Sequence, residues 1–329
     1  MIAGISGDRR RAMLRTAMGP AIAAALADPR VTEIMVNPDG ALRLDRLGEG
    51  RSYTGVRMEA AQVERIIRLV AAHARAEVHG DAPIVSAELP PHEEGRAGER
   101  FEGVLPPVSA APCFSIRKPA ERLYRLHDYV ADGVMTRLAA DRLKACVLLR
   151  HNILIAGGTS SGKTTLANAL LAEMACLDER ILLIEDTREL QSPAADTVAL
   201  RTRPGVVTMA DLVRSTLRLR PDRIIVGEVR GPEALDMLKA WNTGHPGGIA
   251  TVHANSALSA LTRIEGLVQE AVITVPRQLI AEAIDVIVFV SGRGLDRRVS
   301  QVARVAGLDP DTGSYALADL LLPPSPEGD

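Results

Sequence analysis

Apolar residues follow two different rhythms along this chain. Up to about residue 120, alternating runs are mixed with helical spacing. Residues 8–27 read as an amphipathic helix ending at Asp28-Pro29. Val31–Val36 and Ala41–Leu47 flank Asn37-Pro38-Asp39-Gly40, a turn signal that predicts a β-hairpin. Val63, Ile66, Ile67 and Val70 repeat at i, i+3, i+4, i+7 and predict a helix. Residues 88–99, rich in Pro, Gly and charge, read as an exposed loop. Phe101–Val108 and Cys113–Arg117 read as strands. This predicts an α+β domain over 1–120, followed by a break at Lys118-Pro119 and a linker over 121–132. From 133 to 322 strands alternate with helices, the mark of an α/β domain. Strands are predicted at 152–156, 181–185, 197–201, 223–227, 248–252 and 285–290. Four are unbroken apolar runs, as buried parallel strands require, while 197–201 and 248–252 carry a weaker signal. The Pro-rich end, 323–329, reads as a disordered tail.

Composition narrows the picture. With 47% hydrophobic but only 2% aromatic residues, the cores must rest on Ala, Leu, Val and Ile. A formal charge of −2 argues against strong nucleic-acid binding. No stretch reaches 18 uncharged apolar residues; the best candidate, Ile284–Val290, is short and holds Asp285, so it predicts a strand and not a membrane span. Arg9-Arg10-Arg11 is followed by no apolar core of the kind a leader needs. Cys113, Cys146 and Cys176 are scattered without a C-x-x-C, which favours a reducing cytoplasm and argues against zinc.

The strongest chemistry is in Gly157-Gly158-Thr159-Ser160-Ser161-Gly162-Lys163-Thr164. It fits G-x-x-x-x-G-K-[ST] at every fixed position, between a predicted strand and a helix that begins near Thr165. Glycines allow a tight turn whose N–H groups converge on phosphate, and the helix N-terminus adds positive charge. Lys163 would reach the β- and γ-phosphates of ATP, and the Thr164 hydroxyl would ligate Mg²⁺. Lysine occurs at only four positions in the chain, so one in this setting stands out.

Such a loop needs an acid from a second strand. Ile224–Val226 leads into Gly227-Glu228; Gly227 fills the usual metal-binding Asp position, so Glu228 would act alone, through a metal-bound water. Leu182–Ile184 leads into Glu185-Asp186. Lying beside the phosphate-loop strand, it would place Glu185 to polarise the attacking water, with Asp186 capping the next turn. Both acids can also be plain turn residues. His245 and His253 flank a glycine-rich strand and would sense the γ-phosphate. Of the arginines, Arg117 borders the expected interdomain cleft; Arg218, Arg220, Arg223 and Arg230 surround the Glu228 strand.

These segments together resemble the type II/IV secretion and pilus ATPase superfamily. Gly157–Thr164, Ile184–Thr187, Leu217–Gly231 and Thr243–Asn255 match its Walker A, Asp-box, Walker B and His-box elements. Leu238–Gly248 and Ser291–Arg298 are most similar to the TrbB-like, conjugal-transfer branch of type IV secretion. The resemblance implies a RecA-like C-terminal domain, a smaller N-terminal domain and a hexameric ring with ATP bound between domains. It implies Mg²⁺ on Thr164 and Glu228, general-base work by Glu185, and a γ-phosphate-proximal His253. Arg100 and Arg117 match N-terminal arginines that approach nucleotide. It further implies a cytoplasmic enzyme held at the inner face of the bacterial inner membrane by channel proteins. The four-cysteine zinc module of type II secretion relatives and the Ala-Ile-Arg-Asn-Leu-Ile-Arg-Glu motif of retraction motors are absent. Flp-pilus and type II assembly ATPases remain the alternative. A nucleic-acid translocase is disfavoured by charge and by the lack of stacking aromatics.

Overall fold

The computed structural model describes residues 2–91, 98–119 and 123–321, with side chains from residue 12 onward except residue 295. Part of the expected 88–99 loop, part of the expected linker and the expected tail at 323–329 lie outside the described residues. The chain divides into two compact units, Met1–Glu121 and Arg122–Asp329.

In the first unit α1 (Ile2–Ala27) is broken at Gly19, whose φ of 77° precedes Pro20, a residue that cannot continue the helical hydrogen bonding. Strands β1 (Val31–Val36) and β2 (Ala41–Arg46) form the expected hairpin. Its turn is closed by Gly40 N–H on the Asn37 carbonyl at 2.8 Å and by Ala41 N–H on Asp39 Oδ1 at 2.9 Å. Strand β3 (Gly50–Arg57) extends the hairpin at the sheet edge, exposed along its whole length. Helix α2 (Ala60–Ala74) buries Val63, Ile66, Ile67 and Val70, the four positions its spacing marks. Strands β4 (Ile84–Glu88), β5 (Arg100–Val104) and β6 (Cys113–Arg117) complete an antiparallel sheet ordered β3-β2-β1-β6-β5-β4. α1 and α2 cover one of its faces through Leu14, Ile22, Ile66, Ile67, Phe101 and Ile116. The predicted strand at 101–108 is shorter than expected and stops at Val104.

The second unit starts earlier than the sequence suggests. α3 (Leu126–Ala131) lies inside the expected linker, and its Leu126 and Tyr129 are buried in the core. α4 (Arg137–Leu148) follows, capped by Thr136 Oγ1 on Ala139 N–H. Then come β7 (Ile153–Gly157), α5 (Lys163–Glu173), β8 (Ile181–Glu185), β9 (Thr197–Arg201), α6 (Met209–Thr216) and β10 (Arg223–Val226). They are followed by α7 (Glu233–Asn242), β11 (Ile249–His253), α8 (Ala257–Gln269), α9 (Arg277–Ala283) and β12 (Val286–Ser291). The unit ends with β13 (Arg298–Leu308) and β14 (Tyr315–Asp319). The sheet order is β14-β13-β12-β7-β11-β10-β8-β9, parallel from β12 to β9 and antiparallel in its last two strands.

Side chains alternate across this sheet with the two-residue period of a strand. Leu154, Ala156, Ile224, Val226, Ala250 and Val252 face α6–α9; Ile153, Ile155, Leu183, Ile225 and Ile249 face α3–α5. A sheet covered on both faces explains the unbroken apolar runs.

One expectation about placement fails. The strand carrying Glu185 is not beside the phosphate-loop strand: β11 and β10 lie between β7 and β8. The run Gly248–Val252, weak as a sequence signal, forms β11, which neighbours β7 on one side, with β12 on the other.

Candidate active site

The first part of the site is built by β7 and α5. The strand ends at Gly157, and a Cβ there would lie 2.5 Å from the Val290 carbonyl oxygen and 2.6 Å from Ser161 Oγ. Only glycine fits between them. The loop then turns through Ser160 (φ 60°) and Gly162 (φ 92°), and α5 begins at Lys163. Gly158 by contrast has open space where a side chain would stand. Thr159 and Ser160 are exposed, Ser161 is buried, and Thr164 and Thr165 sit half-buried on the first turn of α5. Ser161 Oγ has no hydrogen-bond partner. Lys163 is buried, with Nζ donating to the Gly157 carbonyl at 3.1 Å and the Gly158 carbonyl at 3.0 Å.

β11 and β10 deliver the second part. His253 closes β11, and its Nε2 stands 3.5 Å from Lys163 Nζ and 3.0 Å from Glu228 Oε1. Glu228 follows β10 by two residues and is held on its other oxygen by Arg230, whose Nε donates to Oε2 at 2.8 Å. Burial, and after it the Lys163 charge, push His253 below the usual imidazole range, against the opposing pull of Glu228. Lys163, His253 and Glu228 therefore form one contiguous cluster on the C-terminal ends of three adjacent parallel strands, where ligands bind in open α/β sheets.

Glu185, at the end of β8, is 4% exposed, and burial raises its carboxyl to about 7. Its Oε1 accepts N–H bonds from Glu189 at 2.9 Å and Leu190 at 2.7 Å, which oppose that rise. Gly227 explains how the carboxyl fits: a Cβ at 227 would be 3.0 Å from Glu185 Cγ. A side chain at 227, just past β10, would press on Glu185. Asp186 accepts a bond from Thr202 Oγ1 at 2.8 Å and so ties the β8 end to the segment after β9, a longer-range contact than the expected cap on the next turn.

The two histidines part company. His245 lies before β11, with Nδ1 3.1 Å from the Pro221 carbonyl, at the opposite end of the strand from His253. The expectation that both histidines sense phosphate therefore fails for His245. Arg223 is likewise at the N-terminal end of β10, buried on Glu179. Arg218 and Arg220 are exposed. In the first unit Arg100 and Arg117 are direct cross-strand partners on β5 and β6, with Glu33 opposite Arg117 and Glu88 opposite Arg100. The four form one charged row on one face. Sequence reasoning assigned no role to Arg297, whose side chain lies against Gly162.

Among the described residues, no group of three or more His, Cys, Asp or Glu is placed to hold a metal ion. Thr164 and Glu228 offer a hydroxyl and a carboxylate, oxygen donors of the kind a hard cation takes. They suit Mg²⁺, which takes one or two protein ligands and completes its shell with phosphate and water. The buried, unpaired Ser161 hydroxyl and the glycine-tight loop suit a polyphosphate.

The model of the type II/IV secretion system protein family matches residues 28–304. The conjugal transfer protein TrbB of Rhizobium radiobacter is 48% identical over 296 residues, covering 89% of this chain and 90% of that one. The X-ray structure of the Legionella pneumophila ATPase DotB aligns with a TM-score of 0.60 at 16% identity, covering 89% of this chain and 77% of that one. The pilus retraction motor PilT, solved with bound ADP, aligns with a TM-score of 0.61 at 17% identity, covering 91% and 80%. At those identities the two structures speak for the fold alone, an α/β ATPase-domain architecture. The chain belongs to the type II/IV secretion system protein family.

Proposed function

We propose that this family member hydrolyses ATP to drive a conjugative type IV secretion machine. It is a secretion-system ATPase, similar over nearly its whole length to a conjugal transfer protein. The observation that carries the catalytic reading is the contiguous cluster of Lys163, His253 and Glu228 beside a glycine-tight phosphate loop.

The loop N–H groups and Lys163 bind the phosphate chain, with Lys163 exchanging loop carbonyls for phosphate oxygens. Thr164 and Glu228 would hold Mg²⁺, which supplies charge neutralisation on the phosphates when bound. Glu185 takes a proton from the attacking water; a carboxyl near 7 is matched to that task. His253 spans Lys163 and Glu228, so it reports the state of the phosphate end to the acid on β10. Arg230 holds Glu228 in place.

In this reading the working form is a homohexamer, and Arg100 and Arg117 contact nucleotide in the assembled ring. Among the described residues no helix is long and apolar enough to cross a membrane. The similarity to a conjugal transfer protein supports placing the ring at the cytoplasmic face of the inner membrane, held there by inner-membrane channel proteins. Steady-state phosphate release tests the enzyme. Lys163→Ala should reduce it to background and weaken ATP binding; wild-type turnover in that variant would overturn the site.

A further inference from the structure

The hairpin from β12 to β13 brings another cation to the phosphate loop. A Cβ on Gly162 would lie 2.9 Å from each of Cζ, Nε and Nη1 of Arg297. Three guanidinium atoms at one distance place that point over the flat face of the group. The guanidinium therefore lies on the loop at Gly162, where glycine is needed both for a φ of 92° and for the room it leaves. The turn that aims it is itself tight: a Cβ on Gly292 would be 2.1 Å from the Asp296 carbonyl oxygen. Tyr129 of α3 is also a neighbour. Burial pushes its hydroxyl up, and the Arg297 charge pulls the other way.

This is an unfavourable place for a cation unless an anion shares it. α5 starts one residue later, so its positive end faces the same space. Lys163 adds a full charge. Arg297 Nε is buried without a hydrogen-bond partner, and so is Ser161 Oγ beside Gly162. Two unpaired polar atoms and converging positive charge are terms that an oxyanion offsets. A purine suits the arrangement less, because Gly162 already covers one stacking face and Nε is the donor without a partner.

We propose that Arg297 is a nucleotide-binding residue, pre-set against Gly162 so that its N–H edge binds an oxygen of the polyphosphate chain beside Lys163. The proposal rests on Gly157–Thr164 being the phosphate loop. It is tested by calorimetric binding of Mg-ATP, inorganic tripolyphosphate and adenosine to the full chain, with melting temperature recorded for each variant. Arg297→Gln should weaken ATP and tripolyphosphate about tenfold or more and leave adenosine unchanged. Arg297→Lys should recover part of the loss, since it keeps the charge without the fork. Wild-type affinity for tripolyphosphate in Arg297→Gln would overturn the proposal. So would a loss confined to adenosine, or a lowered melting temperature with affinity intact. If Arg297→Gln does not fold, Arg297→Lys decides: weaker tripolyphosphate binding at an unchanged melting temperature supports the contact, and unchanged affinity overturns it. Lys163→Ala separates the two ideas. If it binds tripolyphosphate like wild type, the loop assignment has failed; if it does not and Arg297→Gln does, only Arg297 is wrongly placed.

Discussion

Burial and two backbone donors act in opposite directions on the Glu185 carboxyl, and burial wins, leaving it near 7 against an ordinary 4.5. Two consequences follow. As the base, Glu185 must be ionised, so turnover should rise with pH and level off above about 7, falling about tenfold for each unit below. Glu185→Gln should remove that limb together with most of the activity while Mg-ATP stays bound; a variant with wild-type turnover and pH profile would exclude the assignment. For stability the sign is reversed. The folded state keeps a proton between pH 4.5 and about 7 that the unfolded chain has lost, so the wild type loses stability as pH rises through that window. Gln, which cannot ionise, should therefore gain in melting temperature relative to wild type between about pH 5 and pH 8. Parallel melting curves across that range would mean that the carboxyl is not desolvated. The sequence made the acid visible through its place after an apolar run. It could not show that Gly227, two strands from the loop, is the space the carboxyl needs.

At the scale of elements, β11 decides whether the site exists, because it joins the loop strand to the Glu228 strand. Its entry is fixed by Asn152, whose Oδ1 accepts from Gly247 and Gly248 N–H at 2.8 and 2.9 Å and whose Nδ2 donates to the Ala283 carbonyl at 2.8 Å. Asn152 is 4% exposed, so Asn152→Ala leaves buried groups unpaired and should destabilise by about 2–5 kcal/mol. Urea unfolding measures it; a change under about 0.5 kcal/mol would mean that water replaces the amide. Gly248 adds a second constraint, since a Cβ there would lie 2.0 Å from Trp241 Nε1, which donates to the Ile224 carbonyl. These demands explain the faint sequence signal of β11: glycine and polar residues are required where apolar ones would announce a strand. β7, β8, β10 and β12, buried on both sides, were legible for the opposite reason. β3 was not, because an exposed edge strand needs no apolar alternation. α3 was hidden by its brevity, and β13 and β14 by the partly exposed faces of an antiparallel edge.

At the scale of the whole molecule, the first unit adds a charged row of its own. Across β1, β6, β5 and β4 the register runs Glu33, Arg117, Arg100, Glu88. Like charges directly opposite one another are unfavourable in a sheet, and each arginine here has an acid on its far side. Arg117 is 3.9 Å from Glu33, and its side chain is 44% exposed, so the contact contributes little to stability. The row is thus a pair of cations kept together at small structural benefit, a property suited to an anion that arrives from outside the unit. Arg117→Gln and Arg100→Gln should each leave the melting temperature within about 2 °C of wild type, since each removes a like-charge contact and Arg117 loses only a weak ion pair besides. Each should lower ATPase activity. If a single phosphate loop surrounds nucleotide incompletely, the remaining contacts come with assembly, so specific activity should also rise with protein concentration as the ring forms. The arginine variants should then assemble as the wild type does, by sedimentation, while hydrolysing more slowly. Full activity in a monomer would remove the need for a ring, and full activity in the double variant Arg100→Gln/Arg117→Gln would confine catalysis to the second unit. The first unit would then be a carrier for contacts with the channel and not a partner in hydrolysis.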